Sequence, residues 1–414
     1  MTSPPADPGT PSPSIAKGLT SSWKIGYCTN VHAGVDLDSI RENLVNHAGS
    51  VRSQLEWPTL GVGLWIPASA ASQLSGQSKN ELEFFDQQGL EPFTINGFPF
   101  DNFHGEIVKH EVYRPDWTDP RRLEYTKSLA TTLASWISPN EIGSISTLPI
   151  GWPSGPLDSV SEKARVAAAA ANLLDLVNHL VEIESSTGRR VVIGLEPEPG
   201  CLLDRREHVL DLFDRYFDQP QTRRHLGVCH DVCHSAVMME DQAETLDAYR
   251  NADILIAKVQ ISSAVGVDWQ WMGGDRRIEA SQRIKQFAEH RYLHQTGRLD
   301  RDGQFHLVED LPGLLESSEE GDVSGGDSKW MIHFHVPIFL ERVGQLITSR
   351  ADVVTCLHWL AKPENVGAFT GHLEVETYAW TVLPADMRRN ALAADIASEL
   401  SWLEKQIESL PRLI

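Results

Sequence analysis

The sequence predicts an α/β fold, a (β/α)8 TIM barrel with an insertion between strands 7 and 8. Three observations lead there. From Lys24 onwards, short apolar runs bounded by turn formers alternate with amphipathic helical stretches, the pattern of parallel βαβ units. Setting aside a stretch that breaks this rhythm, about 292–371, leaves eight such units. Finally, four of the runs stop abruptly in an oxygen-bearing side chain, Glu196, Asp231, Gln260 and Glu376, and the carboxyl ends of barrel strands are where ligands sit. A doubly wound sheet of eight strands is the less favoured alternative.

Taken in order, Lys24–Asn30 is the first strand. Asp36 or Asp38 caps a helix whose apolar side is Ile40, Leu44, Ala48, Val51 and Leu55, at three- and four-residue spacing. Leu60–Ile66 is the second strand. A polar loop through Ser78 leads to a short helix that Gly89 terminates, and Phe93–Asn96 is the third strand. Asp119-Pro120 starts a helix with Leu129, Leu133, Trp136 and Ile137 on its apolar side. Ser144–Leu148 is the fourth strand. Ser159 and Glu162 have capping-box spacing before a long Ala/Leu helix that stops at Gly188. The runs ending at Glu196 and Asp231 are strands five and six, with a helix near Asp204–Phe217 between them. Helix Asp241–Asn251, strand Ile254–Ile261 and helix Arg276–Glu289 follow. Within the insertion, residues 292–295 and 305–308 pair as an irregular hairpin, Trp330–Pro337 is a strand, and two helical stretches come after it. His372–Glu376 is the last strand and Pro384–Leu410 a long terminal helix.

The expected domains are a disordered tail, 1–22, rich in Pro, Ser and Thr, and one barrel domain, 23–414, carrying a mobile acidic Gly/Ser loop at about 316–328. The tail lacks the apolar core of a signal peptide, and no run approaches the roughly 18 apolar residues of a transmembrane segment. A net charge of −21 argues against nucleic acid or an anionic membrane as partner, both of which are held by excess Lys and Arg. It leaves room for a small-molecule metabolite. Five scattered cysteines do not form a disulfide framework, so the expected location is cytoplasmic.

Three carboxylates and an amide oxygen make a hard donor set, better suited to a divalent cation such as Mg²⁺ or Mn²⁺ than to structural zinc. The expected metal ligands are Glu196, Asp231, Gln260 and Glu376; the alternative is that such acids cap helices or pair with arginines. His234, three residues after Asp231, is placed to touch substrate or metal. His333 and His335 share one strand face and are either a buried structural pair or substrate-binding groups, and His32, just past strand one, has the same two readings. Cys229 and Cys233 flank Asp231, where a thiolate ligand competes with simple packing. Tyr27, Trp65, Phe98, Phe100 and Trp152 lie near strand ends and can wall a pocket. The pairs Arg121-Arg122, Arg189-Arg190 and Arg223-Arg224 read as solvated helix ends.

With Leu-Glu196, Asp231-Val-Cys-His234, Val-Gln260-Ile and Glu376 in this order, the chain resembles the xylose-isomerase-like TIM barrel superfamily. The glutamine on strand seven is closest to its hydroxypyruvate-isomerase branch, whereas most sugar epimerases of the superfamily have a histidine there. More narrowly, Ile-Gly-Tyr-Cys-Thr-Asn-Val-His32, His333-Phe-His335-Val-Pro and Leu-Glu374-Val-Glu376-Thr-Tyr-Ala-Trp resemble the EboE family of metabolite traffic proteins. The resemblance implies a metal-dependent isomerase or epimerase of a small hydroxy-carbonyl metabolite, with a divalent metal ion (Mg, Mn or Zn). Glu196 and Glu376 would both hold the ion and transfer the proton, with Glu198 and Glu374 as spare acids. It also implies an association with a gene cluster that moves secondary-metabolite precursors, and hence a rival reading as a non-catalytic binding or carrier component. Phosphodiester hydrolysis, as in DNA-repair endonucleases of this barrel class, is disfavoured by the acidic charge.

Overall fold

The computed structural model describes residues 23–74, 78–102, 104–316, 323–388 and 390–410. The expected tail, 1–22, and residues 317–322 of the expected mobile loop lie outside the described residues. The rest of that loop, 323–328, is a turn in which Val323, Ser324, Asp327 and Ser328 are buried.

Eight parallel strands close into a barrel: β1 (Lys24–Cys28), β2 (Leu60–Trp65), β3 (Leu90–Asn96), β4 (Ile142–Thr147), β5 (Arg190–Leu195), β6 (Leu226–Asp231) and β7 (Leu255–Ile261), with the last strand, His372–Val375, between β7 and β1. These runs are apolar on both sides because helices cover the outside and side chains fill the inside. All six residues of β2 are buried, for example. Its glycines admit close neighbours: a Cβ on Gly63 would lie 1.6 Å from the Glu374 carboxylate, so the bare backbone there makes room for that acid.

The caps expected from the sequence form. Asp36 accepts from Ser39 N at 2.8 Å, and Asp119 from Arg121 N at 2.8 Å with Pro120 in the first turn. Gly188 ends the long Val160–Thr187 helix at φ 69°, a left-handed conformation natural to glycine. Ser159 caps that helix, but the reciprocal half of the box is absent. The Glu162 carboxylate accepts from Ser154 N at 2.9 Å and pairs with Arg165 at 2.7 Å. This helix, contrary to the sequence expectation, is long and apolar enough by composition to cross a membrane. Here Leu173, Leu176, Leu180 and Ile183 are buried within the protein.

The excursion between the seventh and last barrel strands begins earlier than the expected 292. Only three residues after β7, β8 (Val265–Asp268) leaves the barrel and joins a second, six-stranded sheet. Its other strands are β9 (Thr296–Leu299), β10 (Phe305–Val308), β11 (Lys329–Ile332), β12 (Arg342–Val343) and β13 (Leu346–Thr348). The last barrel strand, His372–Val375, is then β14. The helix expected at Arg276–Glu289 is Gly274–Ile284 and packs against this sheet. The barrel's own helix after strand seven is Arg350–Leu360, beside the Gln242–Asn251 and Leu392–Ser409 helices. Local amphipathicity marks both as helices but not which surface each covers.

Trp330–Pro337 is not one strand. Pairing stops at Ile332, and the next residues cross to the barrel, with Val336 N donating to Ser263 O at 2.9 Å. The terminal helix starts at Leu392, since Pro384 opens only a short 3-10 turn.

Candidate metal centre at the barrel mouth

Asp231 ends β6 and caps the six-residue helix behind it, which explains the spacing to His234. Its Oδ1 accepts from His234 N at 2.9 Å and from Ser262 Oγ at 2.8 Å. Its Oδ2 is buried and has no hydrogen-bond partner among the described residues. Glu196 follows β5 directly, held by its own N–H on Thr147 O at 3.0 Å. Glu376 follows β14, its N–H on Ile261 O at 3.1 Å and its Oε1 accepting from Asn30 Nδ2 at 3.1 Å. Oxygens of Glu196, Asp231 and Glu376 lie within 4.8 Å of one another, all three residues buried. Gln260, in register with Asp231 on β6 and Glu374 on β14, donates from Nε2 to Asn96 Oδ1 at 3.0 Å. Its Oε1, like Asp231 Oδ2, is buried without a donor.

An imidazole wall stands beside these oxygens. His234 Nδ1 donates to Pro197 O at 2.9 Å, His333 Nδ1 to Gln295 Oε1 at 2.8 Å and His335 Nδ1 to Glu376 O at 2.8 Å. With Nδ1 fixed in each ring, Nε2 faces inward. The Nε2 atoms of His234 and His333 are 3.1 Å apart, and that of His335 is buried without a partner. A nitrogen from each of His234 and His335 falls within 4.8 Å of an Asp231 oxygen.

Crowded acids in a dry site resist ionising together. Burial pushes Glu196 up to about 7, with Asp231 and Glu198 adding to the shift and His234 opposing it. Burial, then repulsion from Glu196, Asp231 and Glu374, holds Glu376 well above the carboxylate range. Asp231 goes the other way: burial opposes its charge, but His234, His335 and its two hydrogen bonds outweigh burial. Burial, joined by His234, lowers His333, and burial brings His335 down to about 4.

Above the floor is a cavity of about 70 Å³, lined by Glu196, His234, His333, His335 and Glu376 below and by Phe98, Tyr113, Tyr292 and Tyr378 around it. That is room for about two waters at liquid density.

Other expected residues are elsewhere. His32 is buried against Tyr27 and stacked on His47 at 4.2 Å, lining a separate small cavity with Thr29 and Trp65. Of the five aromatics, Phe98 alone lines the mouth cavity; Trp152 packs on Tyr113 and Phe100 on Tyr125. Cys229 is packed in the barrel interior, whereas Cys233 groups with His333 and His335. Arg122 is not a solvated helix end. It is fully buried, donating to the carbonyls of Pro115, Gly97 and Phe98.

Two clusters escaped the sequence reading. Glu198 accepts from Tyr113 OH at 2.6 Å and Gln295 Nε2 at 3.2 Å, so this spare acid is tied into the wall. Beneath the floor, Lys258 and Glu374, both fully buried, form an ion pair. Alternation with Gln260 and Glu376 was the available signal, since residues two apart on a strand share a face.

Neither a family model nor a curated protein matches the sequence. Several solved structures resemble it, some of them named as xylose isomerase domain or xylose isomerase-like proteins. A xylose isomerase domain protein from Planctomyces limnophilus is 16% identical, covering 94% of this chain and 98% of that one, with a TM-score of 0.48. A xylose isomerase-like TIM barrel protein from Mycobacterium smegmatis, in complex with magnesium, is 12% identical, covering 94% and 98%, with a TM-score of 0.49. IOLI protein with a bound zinc atom is 11% identical, covering 94% and 100%, with a TM-score of 0.44. The assignment as a barrel rests on the closed strand order itself.

Proposed function

We propose that the chain is a divalent-cation-dependent isomerase or epimerase of a small hydroxy-carbonyl metabolite, with Glu196, Asp231, Gln260 and Glu376 as cation ligands. The observation that carries this reading is the convergence of three buried carboxylates, with Asp231 Oδ2 of that trio and Gln260 Oε1 on the neighbouring strand buried without a donor among the described residues. Such a group is costly unless a positive charge joins it. Hard oxygen donors favour Mg²⁺ or Mn²⁺, and the neighbouring imidazoles also suit Zn²⁺. A cation bound there supplies polarisation of a carbonyl and stabilisation of the charge that grows on oxygen as the adjacent C–H bond breaks.

The residues divide the remaining work. Glu196 and Glu376 are the catalytic pair: one accepts the carbon-bound proton, and the other returns one to the neighbouring carbon or opposite face. His234, with Nδ1 anchored, offers Nε2 to a substrate oxygen, and His333 and His335 line the same substrate-binding wall. Tyr292, Tyr378 and Phe98 shield the site from water. His32 has no part in this scheme, because its cavity is a different one. The direct test is incubation with Mn²⁺ and small ketoses or hydroxy-aldehydes in ²H₂O. Deuterium should enter the carbon beside the carbonyl, and Glu196→Gln should abolish entry; no incorporation with any metal and substrate pair tried sinks the reading.

The aromatic lining of the mouth cavity also favours a second reading, a cytoplasmic binding or carrier component for secondary-metabolite precursors, as the motifs shared with the EboE family imply. Other products of such a cluster would then be its partners. Native mass spectrometry would find a metabolite retained unchanged, with no deuterium uptake.

A further inference from the structure

Asn96, at the end of β3 and 1% exposed, makes five hydrogen bonds with its side-chain amide. Its Nδ2 donates to Glu374 Oε1 at 2.8 Å and to Cys28 Sγ at 3.2 Å. Its Oδ1 accepts from Lys258 Nζ at 2.9 Å, Gln260 Nε2 at 3.0 Å and Ser146 Oγ at 3.1 Å. Ordinarily the two ends of an amide are hard to tell apart, but here charge decides. An ammonium group has only donors and an ionised carboxylate only acceptors, so the Asn96 oxygen must face Lys258 and its nitrogen Glu374. The choice then propagates. Facing an acceptor, Gln260 must present its NH₂ to Asn96, which turns its Oε1 the other way, buried and without a donor.

We propose that Asn96 is a positioning residue: polarised by the Lys258–Glu374 pair, it holds the Gln260 amide with oxygen rather than nitrogen presented to the cation. The inference rests on the reading of Gln260 as a ligand. It assigns the buried ion pair a role that the proton-transfer scheme does not use, namely to set the direction of a neutral side chain two residues along the strand. Without Asn96, the Gln260 amide can rotate, and its NH₂ would face a cation that it cannot bind.

The test is a cycle of variants titrated with Mn²⁺, with free ion followed by electron paramagnetic resonance. Asn96→Ala should weaken Mn²⁺ binding about 10- to 100-fold, the usual cost of losing a group that orients a metal ligand. In a Gln260→Glu background, where both ends of the side chain are oxygen, the same change should have no effect or strengthen binding. Asn96→Asp combined with Glu374→Gln, which keeps an acceptor towards Gln260 and one negative charge beside Lys258 without facing two carboxylates, should retain wild-type affinity, and it serves as the near-isosteric variant if Asn96→Ala does not fold. An equal loss from Asn96→Ala in both backgrounds, or loss of binding in the Asn96→Asp, Glu374→Gln double variant, overturns the proposal. If Gln260→Ala binds Mn²⁺ as wild type does, the relay is overturned while the cation site survives. If the wild-type chain binds no Mn²⁺, the reading beneath it falls as well.

Discussion

On β7 and β14, side chains two residues apart face the same way, so Lys258 and Glu374 form one layer inside the barrel, with Gln260 and Glu376 above it. The lower layer is closed: Lys258, Glu374 and Asn96 satisfy one another, and Gly63 gives up its side chain to make room. The upper layer is open. Three carboxylates crowd together, and Asp231 Oδ2 and Gln260 Oε1 have no donor among the described residues. Both layers are buried to a similar degree, so burial alone does not separate structure from function. What separates them is whether charge is neutralised from within the chain or left for something to arrive.

The largest expected effect breaks the lower layer. Lys258→Met leaves Glu374 buried and unpaired, and should cost about 3–5 kcal/mol in urea-induced unfolding. A loss below about 1 kcal/mol would mean that the ion pair is not what closes this layer. Next is the upper layer. At 100 times its Kd, Mn²⁺ should stabilise wild type by about 2.7 kcal/mol. Glu376→Gln should remove that gain while leaving metal-free stability unchanged or improved, because burial and the neighbouring acids disfavour its charge. Thermal melts with and without Mn²⁺ measure both quantities.

Glu399 sharpens the contrast as an intermediate case, a buried acid with donors but no cation. It accepts from Thr377 Oγ1 at 2.7 Å and Ile338 N at 3.1 Å, and burial raises it from 4.5 to about 7. A folded-state value above the unfolded one means that the folded protein holds the proton more tightly. The associated stability is therefore complete below pH 4.5 and is lost as pH rises through about 7. Glu399→Gln should remove about 3 kcal/mol of that decline. Parallel unfolding curves for the two proteins across this window would show instead that Glu399 ionises freely.

Much of this could be read before any coordinates. Apolar runs bounded by turn formers, caps at Asp36, Asp119 and Ser159, and the stop at Gly188 are local signals, and each one forms as local chemistry dictates. The strand-end acids were legible because an apolar run ending in a carboxylate is unusual. For Lys258 only its face was legible, two residues before Gln260, since a lone lysine in a strand gives no hint of a partner more than a hundred residues away. The extent of the excursion was hidden for a similar reason. Residues 265–268 look like a continuation of β7, and only their antiparallel pairing with 329–332 reveals a new sheet. His333 and His335 came out near the site, although their run leaves the sheet at Ile332 and is not the strand that alternation implied.

The barrel, being closed, has no free edge, but the second sheet ends in β10 and β12, four and two residues long. Unpaired backbone on such margins is what allows chains to stack into aggregates, and brevity is one of the ordinary defences. Lengthening either margin by a few β-branched residues would leave the chemistry at the mouth untouched while giving neighbouring molecules a rail along which to assemble.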